Sequence, residues 1–180
     1  MEQDFQTEIL KYIRVIPDFP TKGISFKDIT PLLRNGEMFG KSIDALKDAC
    51  SDLDFDIIVA PEARGFIVGS ALAYAMGKGF VPVRKKGKLP WHTIKGFYDL
   101  EYGTDTVEIH EDAVEPGQKV LVLDDLLATG GTIGATVDLV ENLGGKIAAV
   151  VFLIELTYIP GRESLSKKGY DIISVVKLDE

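Results

Sequence analysis

The chain has 180 residues, 46% of them hydrophobic, and a formal net charge of −8 at pH 7. That length and apolar share suit one domain with a full α/β core, and the acidic balance argues against nucleic acid as a partner, because duplex binding is dominated by phosphate neutralisation. No apolar run approaches the ~20 residues a membrane helix needs, the single cysteine excludes an internal disulfide and a thiolate zinc site, and the segment MEQDFQTEIL has acids but no long apolar stretch, so the expectation is a cytoplasmic protein with no membrane partner.

Phe5, Ile9, Leu10 and Ile13 fall on one face of a first helix, ended by Pro17 and Pro20. Residues 23–29, GISFKDI, are short and partly apolar, and their secondary structure stays ambiguous. Met38, Phe39, Ile43, Leu46 and Ala49 predict a second amphipathic helix, beside which Cys50 reads as an inert core thiol. Phe55 to Ala60 reads as a buried strand, Pro61 to Gly65 as a turn, and Phe66 to Met76 as an apolar helix closed by Gly77. Phe80 to Val83 is a second strand, followed at once by the basic cluster Arg84-Lys85-Lys86-Gly87-Lys88. Residues 85–96 read as a mobile loop. Tyr98 to Tyr102 and Thr106 to His110 then flank Gly103-Thr104-Asp105 as a hairpin.

Lys119 to Ala135 is the most informative stretch. Val120 to Leu123 is an unbroken apolar run, as in a strand buried on both faces. Asp124 and Asp125 stand at its carboxyl end, and Ala128-Thr129-Gly130-Gly131-Thr132 leads into a helical pattern at Ile133, Val137, Val140 and Leu143, stopped by Gly144-Gly145. Lys146 to Leu156, Pro160 to Lys168 and Ile172 to Val176 read as strand, helix and strand. Alternating strands and helices predict a mostly parallel central sheet with helices on both faces. Ligands of such sheets lie beyond the carboxyl ends of the strands, where Arg64, the basic cluster and the Asp pair all fall.

A loop of small residues opening a helix presents free N–H groups and a positive dipole end to a phosphate. A Gly-x-x-x-x-Gly-Lys-Ser/Thr run is absent, and Gly130, Gly131 and Gly134 do not keep Gly-x-Gly-x-x-Gly spacing, although Glu155 lies about twenty residues on. Neither alternative accounts for two adjacent acids, which repel and need donors or a cation. As solvated turn residues they would be unremarked. Set a few residues before a phosphate loop, they can hold the 2- and 3-hydroxyls of a ribose 5-phosphate while the loop holds its phosphate.

Leu123 to Thr132 resembles the phosphoribosyl pyrophosphate motif of the type I phosphoribosyltransferases. Asp18-Phe19-Pro20, Gly23-Ile24, Phe26 to Ile29, Ala63 to Phe66, Arg84 to Pro90, Tyr98 to Gly103, Glu155-Leu156 and Gly161-Arg162 resemble the branch of that family that uses adenine, so the likeness covers essentially the whole chain. It implies one domain over 1–180, with an N-terminal hood over about 1–35 that carries base-binding residues and a flexible catalytic hairpin over 85–112. It implies transfer of ribose 5-phosphate from phosphoribosyl pyrophosphate to N9 of adenine, giving AMP and diphosphate, in a homodimer that requires Mg2+. Xanthine or hypoxanthine as the base, and a non-catalytic phosphoribosyl pyrophosphate-binding regulator, stand as alternatives.

The resemblance also distributes the roles. Ala128, Thr129, Gly130, Gly131 and Thr132 would bind the 5-phosphate. Asp124 and Asp125 would hold the ribose hydroxyls against a cationic ring. Arg64, next to a peptide bond that is often cis in the family, would fork onto diphosphate with Lys85 and Lys88; a surface salt bridge and a solvated charge run are the plain alternatives. Glu101 would relay a proton at adenine, or else be a solvated hairpin acid. Phe26 would stack on the purine, with Leu126 or Leu127 on its other face and Ser25 and Lys27 reading its edge; taken alone, Phe26 is more often a core residue. Magnesium would be held mainly by substrate oxygens and water rather than by a protein cage.

Overall fold

The computed structural model describes residues 2–100 and 103–179. These form two compact units, Met1–Ala45 and Leu46–Glu180.

The first unit contains α1 (Glu2–Leu10), β1 (Arg14–Ile16), β2 (Phe26–Asp28), α2 (Thr30–Arg34) and the start of α3 (Gly36–Ala49). The first helix is shorter than its apolar spacing predicts. It winds down through i to i+3 bonds from Lys11, Tyr12 and Ile13, and Arg14–Ile16 leaves the helix to pair antiparallel with Phe26–Asp28. That pairing resolves the ambiguous segment as a strand. Between the two strands Asp18 stands at φ 55, its carboxylate accepts the Gly23 N–H at 2.7 Å, and Phe19-Pro20 is cis. Asp28 then accepts both the N–H and the hydroxyl of Thr30, which starts α2.

The second unit is built on a seven-stranded sheet. Its strands are β3 (Ile57–Pro61), β4 (Gly79–Lys85), β5 (Thr93–Leu100), β6 (Gly103–His110), β7 (Lys119–Leu127), β8 (Lys146–Leu156) and β9 (Ile172–Leu178), in the order β5-β6-β4-β3-β7-β8-β9. The five from β4 to β9 across the sheet are parallel, and the β5–β6 hairpin adds antiparallel to β4. The helices are α4 (Arg64–Met76), α5 (Gly131–Asn142) and α6 (Gly161–Ser166). Strand alternation assigns the faces. Val59 and Val122 join the cluster that holds Ile133, Val137 and Val140 of α5. Ala60 and Leu123, one residue on, lie against Gly69 of α4. Helices therefore cover both faces, as the alternating pattern predicts.

Several further boundaries differ from the sequence reading, and three of them in the sheet have the same cause. The central strand runs four residues past Leu123, because Asp124, Leu126 and Leu127 continue the ladder onto Phe152, Ile154 and Glu155 of β8. Thr93–Gly96 is strand rather than loop, paired with Val107–His110. Gly103-Thr104-Asp105 lies inside β6 rather than forming the turn, with Leu100 paired to Gly103. In each case a partner strand supplies hydrogen bonds that local composition does not reveal.

Candidate active site

The site is built at the carboxyl edge of the parallel strands. Gly130 stands at φ 82 and caps α5, whose first intrahelical bond runs from the Gly134 N–H to the Gly130 carbonyl at 2.8 Å. By helix geometry the N–H groups of the turn before it have no intrahelical acceptor. Together with the hydroxyls of Thr129 and Thr132 they form a cradle suited to a phosphate. The cradle is braced from outside. A Cβ on Gly161 would overlap the Ala128 carbonyl and sit 2.9 Å from Leu127 Cδ1, so the start of α6 packs on the loop backbone itself.

Asp124 and Asp125 sit on β7 immediately before the cradle. Asp124 Oδ1 accepts the N–H of Asp125 at 2.9 Å and faces the first turn of α4, where a Cβ on Gly65 would lie 2.8 Å from it. Asp125 is only 2% exposed, and its Oδ2 lies 3.2 Å from Arg64 Nε in an ion pair that lacks hydrogen-bond alignment. Arg64 is the first residue of α4, and the peptide bond from Glu62 to Ala63 before it is cis. Burial, and then the charge of Asp125, push the Asp124 carboxyl well above the usual carboxylate range. Burial also raises Asp125, against the pull of Arg64. Asp125 is buried and Asp124 half-buried, Arg64 pairs with Asp125, and Asp125 Oδ2 accepts no hydrogen bond from the described residues; a ligand bringing hydroxyls or positive charge would meet that need.

The basic cluster is held by acids the sequence reading did not single out. Glu62 Oε2 accepts from Arg84 Nε and Nη2, both at 3.1 Å; its Oε1 accepts the Lys85 N–H at 2.8 Å and pairs with Lys88 Nζ at 3.2 Å. Burial opposes ionisation of Glu62, but these donors outweigh it and hold the carboxyl below its ordinary value. Glu108 accepts the Gly87 N–H at 2.9 Å. Lys85 Nζ pairs with Asp105 at 2.8 Å. Lys85 and Lys88, expected on diphosphate, thus stand in ion pairs with carboxylates from β6 and from the turn that follows β3. Long-range charge matching of this kind leaves no local sequence signal.

Glu155 and Arg162 pair through two bonds of 2.7 and 2.6 Å, and Arg162 also donates to Ser174 and the Ile172 carbonyl. This fastens α6, and with it Gly161, to β8 and β9. Ser25, Phe26 and Lys27 lie in the first unit, at the start of β2, with Phe26 edge-on to Phe19 at 5.2 Å and Lys27 donating to Ser25. Leu126 and Leu127 end β7 in the second unit. Glu101 lies outside the described residues, as does Tyr102. Among the described residues, no group of three or more His, Cys, Asp or Glu could hold a metal ion, and no helix is long and apolar enough to cross a membrane.

The phosphoribosyl transferase domain family matches residues 29–178 of the chain. An adenine phosphoribosyltransferase of Alkaliphilus metalliredigens is 59% identical over 165 residues, which is 92% of this chain and 96% of the relative. The crystal structure of the adenine phosphoribosyltransferase of Thermoanaerobacter pseudethanolicus is 57% identical, superposes with a TM-score of 0.93, and is matched over 96% of this chain and 99% of that one. That of Saccharomyces cerevisiae, complexed with an imino-altritol bisphosphate and adenine, is 39% identical with a TM-score of 0.88, over 97% and 99% of the two chains.

Proposed function

The chain belongs to the adenine phosphoribosyltransferases of the phosphoribosyl transferase family, and from that membership we propose that it transfers ribose 5-phosphate from phosphoribosyl pyrophosphate to adenine, giving AMP and diphosphate. In the reaction the bond from C1 to the diphosphate oxygen breaks, the bond from C1 to adenine N9 forms, and the N9 proton leaves. The observation that carries the reading is the spacing on one strand–loop–helix unit: two adjacent carboxylates on β7, one buried and one half-buried, then a helix-opening cradle a few residues on.

Each group then has work to do. The N–H groups and hydroxyls of Ala128, Thr129, Gly130, Gly131 and Thr132 hold the 5-phosphate. Asp124 and Asp125 accept the ribose hydroxyls, and their charge favours a sugar ring that becomes cationic as diphosphate departs. Arg64, Lys85 and Lys88 take up the charge developing on the leaving group. Ser25, Phe26 and Lys27 are the candidates for reading and stacking the base, and Glu101 for handling the N9 proton. Magnesium would neutralise diphosphate charge while held by substrate oxygens and water, which suits its reluctance to dehydrate; the acid pair is left to the ribose. The enzyme works in the cytoplasm as a homodimer, for which Ile67 and Tyr74 of α4, 42% and 90% exposed, are apolar side chains an interface would cover.

A base panel tests the reading. With excess phosphoribosyl pyrophosphate, AMP is expected to form far faster than IMP or XMP. IMP formed faster than AMP would reverse the choice of base, and no nucleotide from any base would leave a binding protein.

A further inference from the structure

Asp105 has three donors on one carboxylate. Its Oδ1 accepts the Thr106 N–H at 2.8 Å, and its Oδ2 accepts both the Tyr98 phenol at 2.9 Å and Lys85 Nζ at 2.8 Å. Lys85, Thr106 and Tyr98 place this carboxylate well down the carboxylate range, at about 2, so it is ionised at any working pH. Tyr98 and Asp105 are direct cross-strand partners in the β5–β6 hairpin, and the Thr132 hydroxyl of the cradle stands beside the same phenol. The hairpin is seated on α5, since a Cβ on Gly96 would lie 3.0 Å from Leu139 Cγ and 3.1 Å from the Ala135 carbonyl. Asp105 is therefore a fixed anion, held in place on the helix that opens with the phosphate cradle. Lys85, by contrast, keeps about half of its side chain exposed, at 53%, and its ammonium is free to exchange one anion for another at small cost.

We propose that Asp105 is a positioning residue that serves as a resident stand-in for the diphosphate group, holding Lys85 beside the site until the ligand's own oxygens displace the carboxylate. This rests on the assignment of Lys85 to diphosphate. The carboxylate keeps a flexible lysine ordered near the cradle, and it also competes with the ligand, so that only a more highly charged anion captures Lys85.

The test reads the affinity for inorganic diphosphate by calorimetry in magnesium buffer, for the whole chain and three variants. Asp105→Asn keeps an acceptor for Tyr98 and removes the competing charge. It is expected to tighten diphosphate binding about two- to five-fold, the size of a partly exposed ion pair, a gain that loss of structure would not produce. Lys85→Gln is expected to weaken binding, and the double variant to match Lys85→Gln alone, because with no lysine to release Asp105 has nothing to withhold. Unchanged or weaker binding in Asp105→Asn, with Lys85→Gln still weakened, overturns the stand-in role and leaves the diphosphate assignment intact. Unchanged binding in Lys85→Gln overturns the diphosphate assignment and the stand-in role with it.

Discussion

Gly161 and Ala128 meet backbone to backbone: the position a Cβ would take on Gly161 lies inside the van der Waals envelope of the Ala128 carbonyl, with the carbonyl carbon only 3.0 Å away. No rotamer change relieves that overlap, because both atoms belong to main chain. Gly161→Ala is therefore expected to displace either α6 or the cradle, with a loss of about 1–3 kcal/mol in stability and a raised KM for phosphoribosyl pyrophosphate. Denaturant unfolding and initial rates check it; a variant that matches the native chain in both would show that the contact is slack.

Asp125 is buried and paired to Arg64. Asp125→Asn preserves its shape and removes the charge that a cationic ribose would use. Turnover is expected to fall by the equivalent of ~2–4 kcal/mol, while the thermal midpoint changes little. Turnover within threefold of the native value would remove Asp125 from the ribose contact.

Asp124 offers a prediction of opposite sign for stability. Its folded-state pKa is raised by burial and by Asp125, so the unfolded chain releases its proton first as pH climbs. Its contribution to stability is full below the unfolded value near 4 and is lost as pH rises through the higher folded value. Asn cannot ionise. Asp124→Asn is expected to melt ~2–4 °C above the native chain at pH 7.5, on the order of 1 kcal/mol, with the gap closing toward pH 4 and turnover lost. An equal or lower melting temperature at pH 7.5 would mean that the acid pair is not a stored cost.

Glu155 runs the other way. Its two bonds to Arg162 hold its pKa below the ordinary value, so its contribution is present above the unfolded value of ~4.3 and is lost as pH falls through the folded one. Glu155→Gln is expected to cost ~1–2 kcal/mol at pH 7, less than a fully buried pair because the Arg162 side chain is 37% exposed. Melting curves from pH 7 down to pH 3 should converge for the two proteins; a constant gap would place the effect in packing rather than charge.

The parallel core and the cradle were legible from residue order because both rest on local signals. Val120 to Leu123 announce a doubly covered strand, Gly130 supplies a positive φ at the helix start, and Gly144 supplies another at its end. The Asp pair could be proposed for ribose because its spacing to that cradle is a property of the chain. What residue order left open depends on residues distant in sequence. Strand β7 extends through Leu127 because β8 is there to pair with it, and Arg14–Ile16 leaves the first helix because β2 receives it. The partners of the basic cluster come from 20 residues away, for Lys85 and Asp105, to 26, for Lys88 and Glu62, along the chain. Hydrogen-bond ladders and ion pairs are settled by whichever complementary group the fold brings alongside, and periodicity, caps and turn residues carry no record of that neighbour.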